Sequence, residues 1–369
     1  MIKVSQPFLP PKEEYNEYIS KLWETKWLTN NGDYVTTLET QLRNYLGVPA
    51  CLFVSNGTVA MQLAINALGI SKKVITTPFS FIATTTSILW QKCDPVFVDI
   101  KPETLCIDEK KIEDSITEDT EAILATHVFG IPCNVEAIER IAVKYSLKVI
   151  YDAAHAFGVT YNEQSLLQYG DISTISFHST KLFHTIEGGG VSCNNTSFQK
   201  ELYALRQFGM IEGEHVMPGI NAKNSEFHAA MGLCNLNYVD EVITYRKMLS
   251  HAYDSTFNKY ESIIRPAIPA NVEYNYSYYP IILSDENVLL DVQNHLYRKG
   301  IETKRYFYPS LNKIDYLSHK TICPISEDIS KRILCLPLHT DINTEDVEFI
   351  ANIIVEIIHE EIRAVNPIS

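Results

Sequence analysis

The sequence predicts an α/β fold, in which helices cover a mostly parallel sheet on both faces, followed by a smaller α+β domain. Short apolar runs alternate with helical patterns between residues 50 and 195. Strands that alternate with helices in this way are typical of parallel βαβ units. The alternation ends near residue 198, where longer helical patterns begin. The 369 residues also suffice for two domains of about 150 residues each.

The predicted strands of the sheet end at turn signals or lead into helical patterns. Asn56-Gly57 follows the first apolar run, and a helix is predicted over Thr58 to Leu68 because Gly69 is a typical helix stop. Two further helices are predicted at about residues 81–90 and 134–145. The predicted strands are 50–55, 73–78, 95–100, 122–130, 147–154, 174–177 and 190–195.

The C-terminal part is predicted to form a separate domain of mixed strands and helices. Residues from about 198 to 260 are mostly helical in pattern. We place the boundary so that residues 1–245 form the large domain and residues 246–369 the small one. The N-terminal 45 residues precede the first strand and are expected to pack across both domains. The later elements are strands at 274–283 and 303–309 and helices at about 285–299 and 344–363.

Composition and charge exclude several classes of protein. The net charge of −14 argues against nucleic acid as the main partner, which normally requires a basic surface. No apolar run approaches the roughly 20 residues of a membrane helix, and the N-terminus lacks a signal-peptide pattern. The eight cysteines stand singly, which favours buried reduced thiols over disulfides or zinc. We therefore expect a cytoplasmic protein with no metal, membrane or nucleic-acid partner.

The segment SNGTVA, residues 55–60, is the first candidate for chemistry. It lies at the end of a predicted strand and the start of a helix, where unpaired backbone N–H groups and the helix dipole suit a phosphate. Gly57 permits close approach of the backbone, and Ser55 and Thr58 add hydroxyl donors. Taken alone, a strand–turn–helix connection that binds nothing explains the segment at least as well.

Two further motifs place charged side chains directly after strands. Asp152 ends an apolar strand, where a carboxylate can pair with a protonated pyridine nitrogen or can cap the following helix. Lys181 lies in SFHSTKLFHTIEGGG and can form a Schiff base with an aldehyde if its pKa is lowered, although most lysines are surface charges. No glycine-rich dinucleotide fingerprint or P-loop is present. Together the three motifs supply the phosphate, pyridine and aldehyde contacts of pyridoxal 5′-phosphate (PLP).

These and other segments resemble the DegT/DnrJ-type sugar aminotransferases, which are PLP enzymes of fold type I acting on nucleotide-linked keto sugars. The resemblance runs over nearly the whole chain. It implies PLP as the cofactor, L-glutamate as the amino donor, and a homodimer with shared active sites. The segments that carry it most specifically are SFHSTKLFHTIEGGG and NAKNSEFHAAMGL, supported by WLTNNG, SNGTVA, TPFSFIATTTSI, PVFVDI and YDAAHAFG.

The resemblance also implies a role for individual residues. Lys181 would be the Schiff-base lysine, Asp152 the partner of the pyridine nitrogen, and His155 a contact of the ring or its phenolic oxygen. Asn221 would reach the phosphate of the neighbouring subunit. Asn224 is a departure, because the family usually has Met or another apolar residue there. The remaining cofactor contacts would be Phe81, stacking on the ring, and Gly57, Thr58 and Ser176 on the phosphate.

The lysine motif and the opening QPFLPP most resemble members that aminate C4 of dTDP-4-keto-6-deoxy-D-glucose. Amination at C3 of a dTDP-3-keto sugar, or a noncatalytic sensing protein with the PLP fold, are the alternatives. Tyr306, in an aromatic run beside two basic residues, is a candidate substrate contact. His178 and His184 flank the lysine and are equally compatible with substrate contact or plain packing. The candidate cations for a substrate diphosphate are Arg206, Lys223, Lys304 and Arg305, each of which can equally be a surface charge.

Overall fold

The computed structural model describes residues 1–317 and 321–365. Its helices are α1 Lys12–Thr25, α2 Asp33–Leu46, α3 Gly57–Ala67, α4 Ile82–Trp90, α5 Val135–Tyr145, α6 Thr196–Arg206, α7 Glu226–Leu236, α8 Val239–Phe257, α9 Glu286–Arg298, α10 Pro324–Arg332 and α11 Thr344–Val365. Its strands are β1 Leu52–Val54, β2 Lys73–Thr76, β3 Asp94–Phe97, β4 Thr120–Thr126, β5 Lys148–Asp152, β6 Thr160–Tyr161, β7 Gln164–Ser165, β8 Ile172–Ser176, β9 Gly189–Cys193, β10 Met210–Ile211, β11 Glu214–His215, β12 Val272–Glu273, β13 Tyr279–Ile282 and β14 Ile333–Leu336. Short 3₁₀ helices lie at Glu109–Lys111, Glu113–Ser115, Val128–Gly130, Leu166–Gln168 and Leu311–Lys313.

A seven-stranded sheet in the order β1-β9-β8-β5-β4-β2-β3 forms the centre of the molecule. Every strand predicted between residues 50 and 195 is part of it. Strands β3, β2, β4, β5 and β8 pair in parallel, whereas β9 runs antiparallel to both of its neighbours. The predicted mostly parallel α/β sheet is therefore confirmed.

Helices bury both faces of this sheet. Neighbouring residues of β2 point to opposite sides, so that Ile75 packs in one apolar cluster and Val74 in another. The cluster around Ile75 includes side chains of α2, α5 and α7, and the cluster around Val74 includes side chains of α3, α4 and α6. Because both faces are covered, the central strands read as continuous apolar runs rather than as alternating ones.

The glycine run at residues 188–190 serves packing in this sheet. A Cβ atom on Gly189 would lie 2.5 Å from the backbone carbonyl of Asn56, at the turn between β1 and α3. Strand β9 can therefore pair with β1 and pass under the start of α3 only because this position has no side chain.

The C-terminal part is built on the antiparallel pair of β13 and β14. Side chains of α8, α9 and α11 enclose a separate apolar cluster with these strands. The strand predicted at residues 303–309 is wrong, because only Lys304 forms a bridge, to Cys335. Pro309 has no N–H to donate to a ladder, and the ring of Phe307 packs instead against Phe79 at 5.7 Å between centroids.

The boundary predicted at residues 245/246 falls inside the continuous helix α8. Val239 near the start of this helix packs in a cluster of the large part, whereas Leu249 belongs to the C-terminal cluster. We keep the two-domain division as a proposal, with α8 shared between them. The N-terminal segment contacts both parts, because Ile2 bridges Ile301 and the Tyr15 hydroxyl donates to a carbonyl of α7.

Among the described residues, no helix combines the length and apolar character needed to cross a bilayer. In the same residues, no group of three or more His, Cys, Asp or Glu side chains is arranged to hold a metal ion. All eight cysteines are buried and free.

Candidate active site

A cleft of about 1020 Å³ opens at the carboxyl ends of β5 and β8. The turn before α3, the start of α4 and the tyrosine-rich C-terminal segment form its other walls. This is the position where ligands bind in open α/β sheets. The structure brings the following predicted residues together in the cleft: Gly57, Thr58, Phe81, Asp152, His155, Ser176, His178, Lys181, Lys304 and Tyr306.

Lys181 presents its amine inside this cleft. Its backbone N–H donates to the carbonyl of His178 at 2.9 Å, and Nζ donates to the hydroxyl of Tyr278 at 3.2 Å. Burial lowers the pKa of Lys181 to about 8, against the opposing influence of the Asp152 charge. About a tenth of the amine is therefore uncharged at pH 7, and this is the form that can attack an aldehyde or accept a proton.

This lowered pKa predicts a distinctive reactivity in the cofactor-free protein. Labelling of Lys181 by an amine-reactive acetylating reagent should reach half of its maximal rate near pH 8, because only the uncharged amine reacts. Lysines with an ordinary pKa reach half of their maximal labelling rate near pH 10.4. Competitive labelling followed by peptide mass spectrometry measures the midpoints of Lys181 and of the surface lysines in one sample. A midpoint for Lys181 that coincides with that of the surface lysines would contradict the prediction.

Asp152 ends β5 with a buried carboxylate that faces the cleft. Its Oδ2 accepts a hydrogen bond from the Thr84 hydroxyl at 2.7 Å, and its Oδ1 accepts one from the Ala154 N–H at 3.1 Å. Burial raises the pKa of Asp152, while these bonds and the Lys181 charge oppose that rise. The carboxylate is thus held in place and is suited to a cationic partner in the cleft.

Thr84 was missed by the sequence analysis. It lies on α4 one turn after Phe81, and its hydroxyl is within 2.7 Å of the Ser80 hydroxyl, which in turn is 3.0 Å from that of Thr126. The three hydroxyls form a buried chain that ends on Asp152. A run of three threonines on a helix that is otherwise mostly apolar was the available signal, but nothing in the sequence indicates which of them points to the sheet.

His155 is a buried, neutral imidazole. The backbone N–H of Phe129 donates to its Nδ1 at 3.0 Å, so its own proton is on Nε2. Burial and the nearby charge of Lys181 hold the pKa of His155 well below its usual value. The rings of Tyr278 and Phe307 fix its plane, with centroids at 4.5 and 5.9 Å.

The start of α3 forms an anion cradle. Asn56 caps the helix, because its side chain accepts from the Val59 N–H at 2.9 Å. Helix geometry leaves the N–H groups of Gly57 and Thr58 without intrahelical partners at this edge of the cleft. Ser176 stands opposite, 3.1 Å from where a Cβ on Gly57 would lie. N–H groups and hydroxyls converging at a helix N-terminus are suited to a phosphate.

Gly57→Ala is expected to weaken binding of PLP by about tenfold, or about 1.4 kcal/mol. The added methyl group would press on Ser176 and narrow the cradle, whereas alanine at a helix start leaves the fold intact. Titrating PLP into the cofactor-free protein and following intrinsic fluorescence measures the affinity. An unchanged dissociation constant, with unchanged thermal stability, would show that the phosphate is not held here.

Three of the residues considered as possible substrate contacts make their contacts within the fold and do not line the cleft, so a role for them at a substrate stays a prediction. His184 is buried, with Nε2 2.7 Å from the carbonyl of Phe8. The Arg305 guanidinium donates to Glu286 at 2.8 Å and lies over the ring of Tyr308, outside the cleft. Arg206 is fully buried in an ion pair with Glu39. Each charge or ring nitrogen is used to hold the fold, which the sequence pattern alone does not distinguish from ligand binding.

Asn221 and Lys223 lie outside the cleft of their own chain. Asn221 is exposed and bridges Gln207, and Nζ of Lys223 lies 4.5 Å from the ring centroid of Phe208. The contact of Asn221 with a neighbouring subunit therefore stays a prediction. The cleft also includes residues that the sequence analysis did not assign to it, namely Ser80, Thr126, Glu187, Asn224, His228, Tyr278 and Phe307.

The residues of the cleft fit PLP. One end carries the helix-start cradle for a phosphate, the floor carries a buried carboxylate, and an amine with a lowered pKa lies beside them. Together with the mostly parallel sheet, these features define a PLP-dependent aminotransferase of fold type I.

The chain belongs to the DegT/DnrJ/EryC1/StrS aminotransferase family, which matches residues 11–355. It is 40% identical over 363 residues to a dTDP-4-amino-4,6-dideoxy-D-glucose transaminase of Shigella dysenteriae, with 96% of this chain and 99% of that protein covered. A protein of the same name from Escherichia coli is 38% identical, with 94% and 96% covered. A crystal structure of DesI in the presence of its TDP-sugar product superimposes with a TM-score of 0.91 at 28% identity, covering 95% of this chain and 91% of that one.

Proposed function

We propose that this aminotransferase moves an amino group from L-glutamate to C4 of dTDP-4-keto-6-deoxy-D-glucose and forms dTDP-4-amino-4,6-dideoxy-D-glucose. The observation that carries the proposal is the near full-length similarity to the transaminase of Shigella dysenteriae, at 40% identity. The cleft supports it, because it combines a cofactor site with ample space and several polar side chains for a large, polar substrate.

Bound PLP supplies an aldehyde that takes up the amino group and a ring that withdraws electrons from the reacting carbon. Asp152 is suited to hold a proton on the pyridine nitrogen, because its carboxylate is buried and already fixed by Thr84. His155 presents Nε2–H as a hydrogen-bond donor. Gly57, Thr58 and Ser176 are proposed to hold the phosphate, and Phe81, which is exposed at the cleft, to cover the ring.

Lys181 is proposed to bind the aldehyde and, once released, to carry the proton. Its amine accepts a proton when uncharged and returns it when charged, and a pKa of about 8 makes both forms accessible near neutral pH. Burial raises the pKa of the Tyr278 phenol, so the hydroxyl stays protonated and can hydrogen-bond the uncharged amine. Tyr278 therefore keeps Nζ within the cleft between the two proton transfers.

The substrate is proposed to meet the outer part of the cleft. Lys304 is exposed there, with Nζ 4.9 Å from the ring centroid of Tyr306, and is placed to pair with a diphosphate. His178 also lines the cleft, three residues before Lys181, and its side chain is partly exposed to solvent. The net charge of −14 makes such local cations and helix-end amides important for holding two phosphate-bearing ligands.

We also infer that two copies form a homodimer with shared active sites. Exposed apolar side chains flank Asn221, at Phe208, Ile211 and Ile220. Such a patch is typical of a surface that becomes buried in an oligomer.

The eight buried free thiols support a reducing compartment, and we place the protein in the cytoplasm.

Incubation with L-glutamate and, separately, dTDP-4-keto-6-deoxyglucose or dTDP-3-keto-6-deoxyglucose tests the proposal. NMR of the product is expected to show an amino group at C4. Amination at C3 alone would overturn the position, and amination of neither sugar would overturn the substrate class. If glutamate also leaves the cofactor absorbance unchanged, a noncatalytic role gains support.

A further inference from the structure

Three titratable side chains stand together in the cleft beside the proposed cofactor-binding residues. His178, Glu187 and His228 all line it, and we refer to them as the His–Glu–His cluster. Resting on the proposed function, we propose that this cluster binds the ring hydroxyls of the keto sugar, with the Glu187 carboxylate as their acceptor. It would thereby determine specificity in the half-reaction with the sugar and play little part in the half-reaction with glutamate.

His178 is oriented by its own loop. The N–H of Thr180 donates to its Nδ1 at 3.2 Å, and the Thr180 hydroxyl lies 2.8 Å from the same nitrogen. Because Nδ1 accepts, the proton of the neutral ring is on Nε2. That nitrogen lies 3.5 Å from Oε1 of Glu187. The imidazole therefore presents a donor toward the carboxylate and the cleft.

His228 lies on α7 and is oriented in the same way, through its Nδ1. Its Nδ1 lies 2.7 Å from the hydroxyl of Ser225. This hydroxyl oxygen already accepts from the His228 backbone N–H at 3.4 Å, so its proton is free to bond Nδ1. Burial lowers the pKa of His228 and favours the neutral ring, although the Glu187 charge opposes this. Here too Nε2 is left as a donor.

Glu187 has a fixed backbone and an open side chain. Its carbonyl accepts from Asn224 Nδ2 at 2.9 Å and from the Thr185 hydroxyl at 2.9 Å. Asn224 is the residue that departs from the apolar one usual in the family, and here it ties the loop of Glu187 to the segment just before α7. The side chain of Glu187 is 55% exposed, so its carboxylate remains available to a ligand.

The chemistry of this arrangement fits a sugar better than a dicarboxylate. A hydroxyl group donates one hydrogen bond and accepts others, so it can bridge a carboxylate and an imidazole N–H. Adjacent hydroxyls on a hexose ring can use both oxygens of Glu187. The distal carboxylate of glutamate would instead meet a like charge at this position and be repelled. The amino donor is therefore expected to place that group elsewhere in the cleft.

The test separates the two half-reactions in the holoenzyme of Glu187→Gln. The amide keeps the shape of the side chain but removes its charge. We expect KM for dTDP-4-keto-6-deoxyglucose to rise by about tenfold or more, as for the loss of a hydrogen bond to a charged group. The rate of the absorbance change on adding glutamate alone should stay within about twofold of the wild type. Glu348→Gln, on the exposed face of α11, is the matched control.

His228→Asn provides a second, independent variant. It should raise KM for the sugar less than Glu187→Gln does, again with the glutamate step preserved. An unchanged KM for the sugar in both variants would overturn the proposal, as would an equal loss in both half-reactions. The wild-type enzyme tests the proposed function separately. If it aminates the 3-keto sugar instead, the same variants are measured on that sugar, and if it aminates neither, both proposals fail.

Discussion

Lys181→Ala is expected to lower kcat by about 10⁴-fold or more, the largest effect of any single substitution in this protein. The variant loses both the amine that binds the aldehyde and the group that carries the proton. Within residues 1–317 and 321–365, Lys304 is the one other lysine that lines the cleft, and its Nζ lies over the ring of Tyr306. Multiple-turnover transamination, followed by NMR of the amino sugar, measures the loss.

Lys181→Arg distinguishes loss of chemistry from loss of charge. The guanidinium keeps a positive charge near Asp152 but cannot deprotonate in the accessible pH range. It should therefore be about as inactive as the alanine variant. Lys110→Ala, on an exposed 3₁₀ turn, is the control and should retain wild-type activity. Sustained turnover by either Lys181 variant would show that another group performs both steps.

The sequence predicted the sheet well because its strands are buried on both faces. In β4 and β5 nearly every residue is buried and the centre of each strand is a continuous apolar run, so the pattern is strong and has few alternative explanations. The segment at 303–309 failed for the opposite reason. Its aromatic and β-branched residues have high strand propensity, but the segment pairs with β14 only at Lys304, and the rings of Tyr306 and Phe307 line the cleft.

Several of the candidate site residues were proposed because they follow a strand. Asp152, Ser176 and Lys181 lie at or just after strand ends, and the topology of a parallel sheet brings such positions together. Charged residues farther along the chain were not predictable in this way. A buried Arg206 paired with Glu39 and a cleft-lining Lys304 have the same sequence appearance, and only tertiary packing separates them.

Asp152→Asn is expected to lower kcat by about 10³-fold while leaving the fold intact. The amide oxygen can still accept from Thr84, but the side chain no longer carries the negative charge that favours a protonated pyridine nitrogen. The change in charge thus acts on the cofactor rather than on the architecture. Steady-state kinetics with saturating glutamate and keto sugar measures the effect. Retention of kcat within about tenfold of the wild type would contradict the role of Asp152.

The stability of the cofactor-free variant provides an independent check with a definite sign. Burial raises the pKa of Asp152 above its ordinary value of 3.8, so its charged form is disfavoured in the folded state. A raised carboxyl pKa contributes stability at low pH that is lost as the pH rises through the folded-state pKa. Asp152→Asn lacks this loss, and its urea midpoint at pH 7 should equal or exceed that of the wild type. The difference should shrink toward pH 4. A variant that is both inactive and less stable at pH 7 would indicate that the carboxylate mainly holds the fold, whereas an inactive and equally stable one supports pairing with the cofactor.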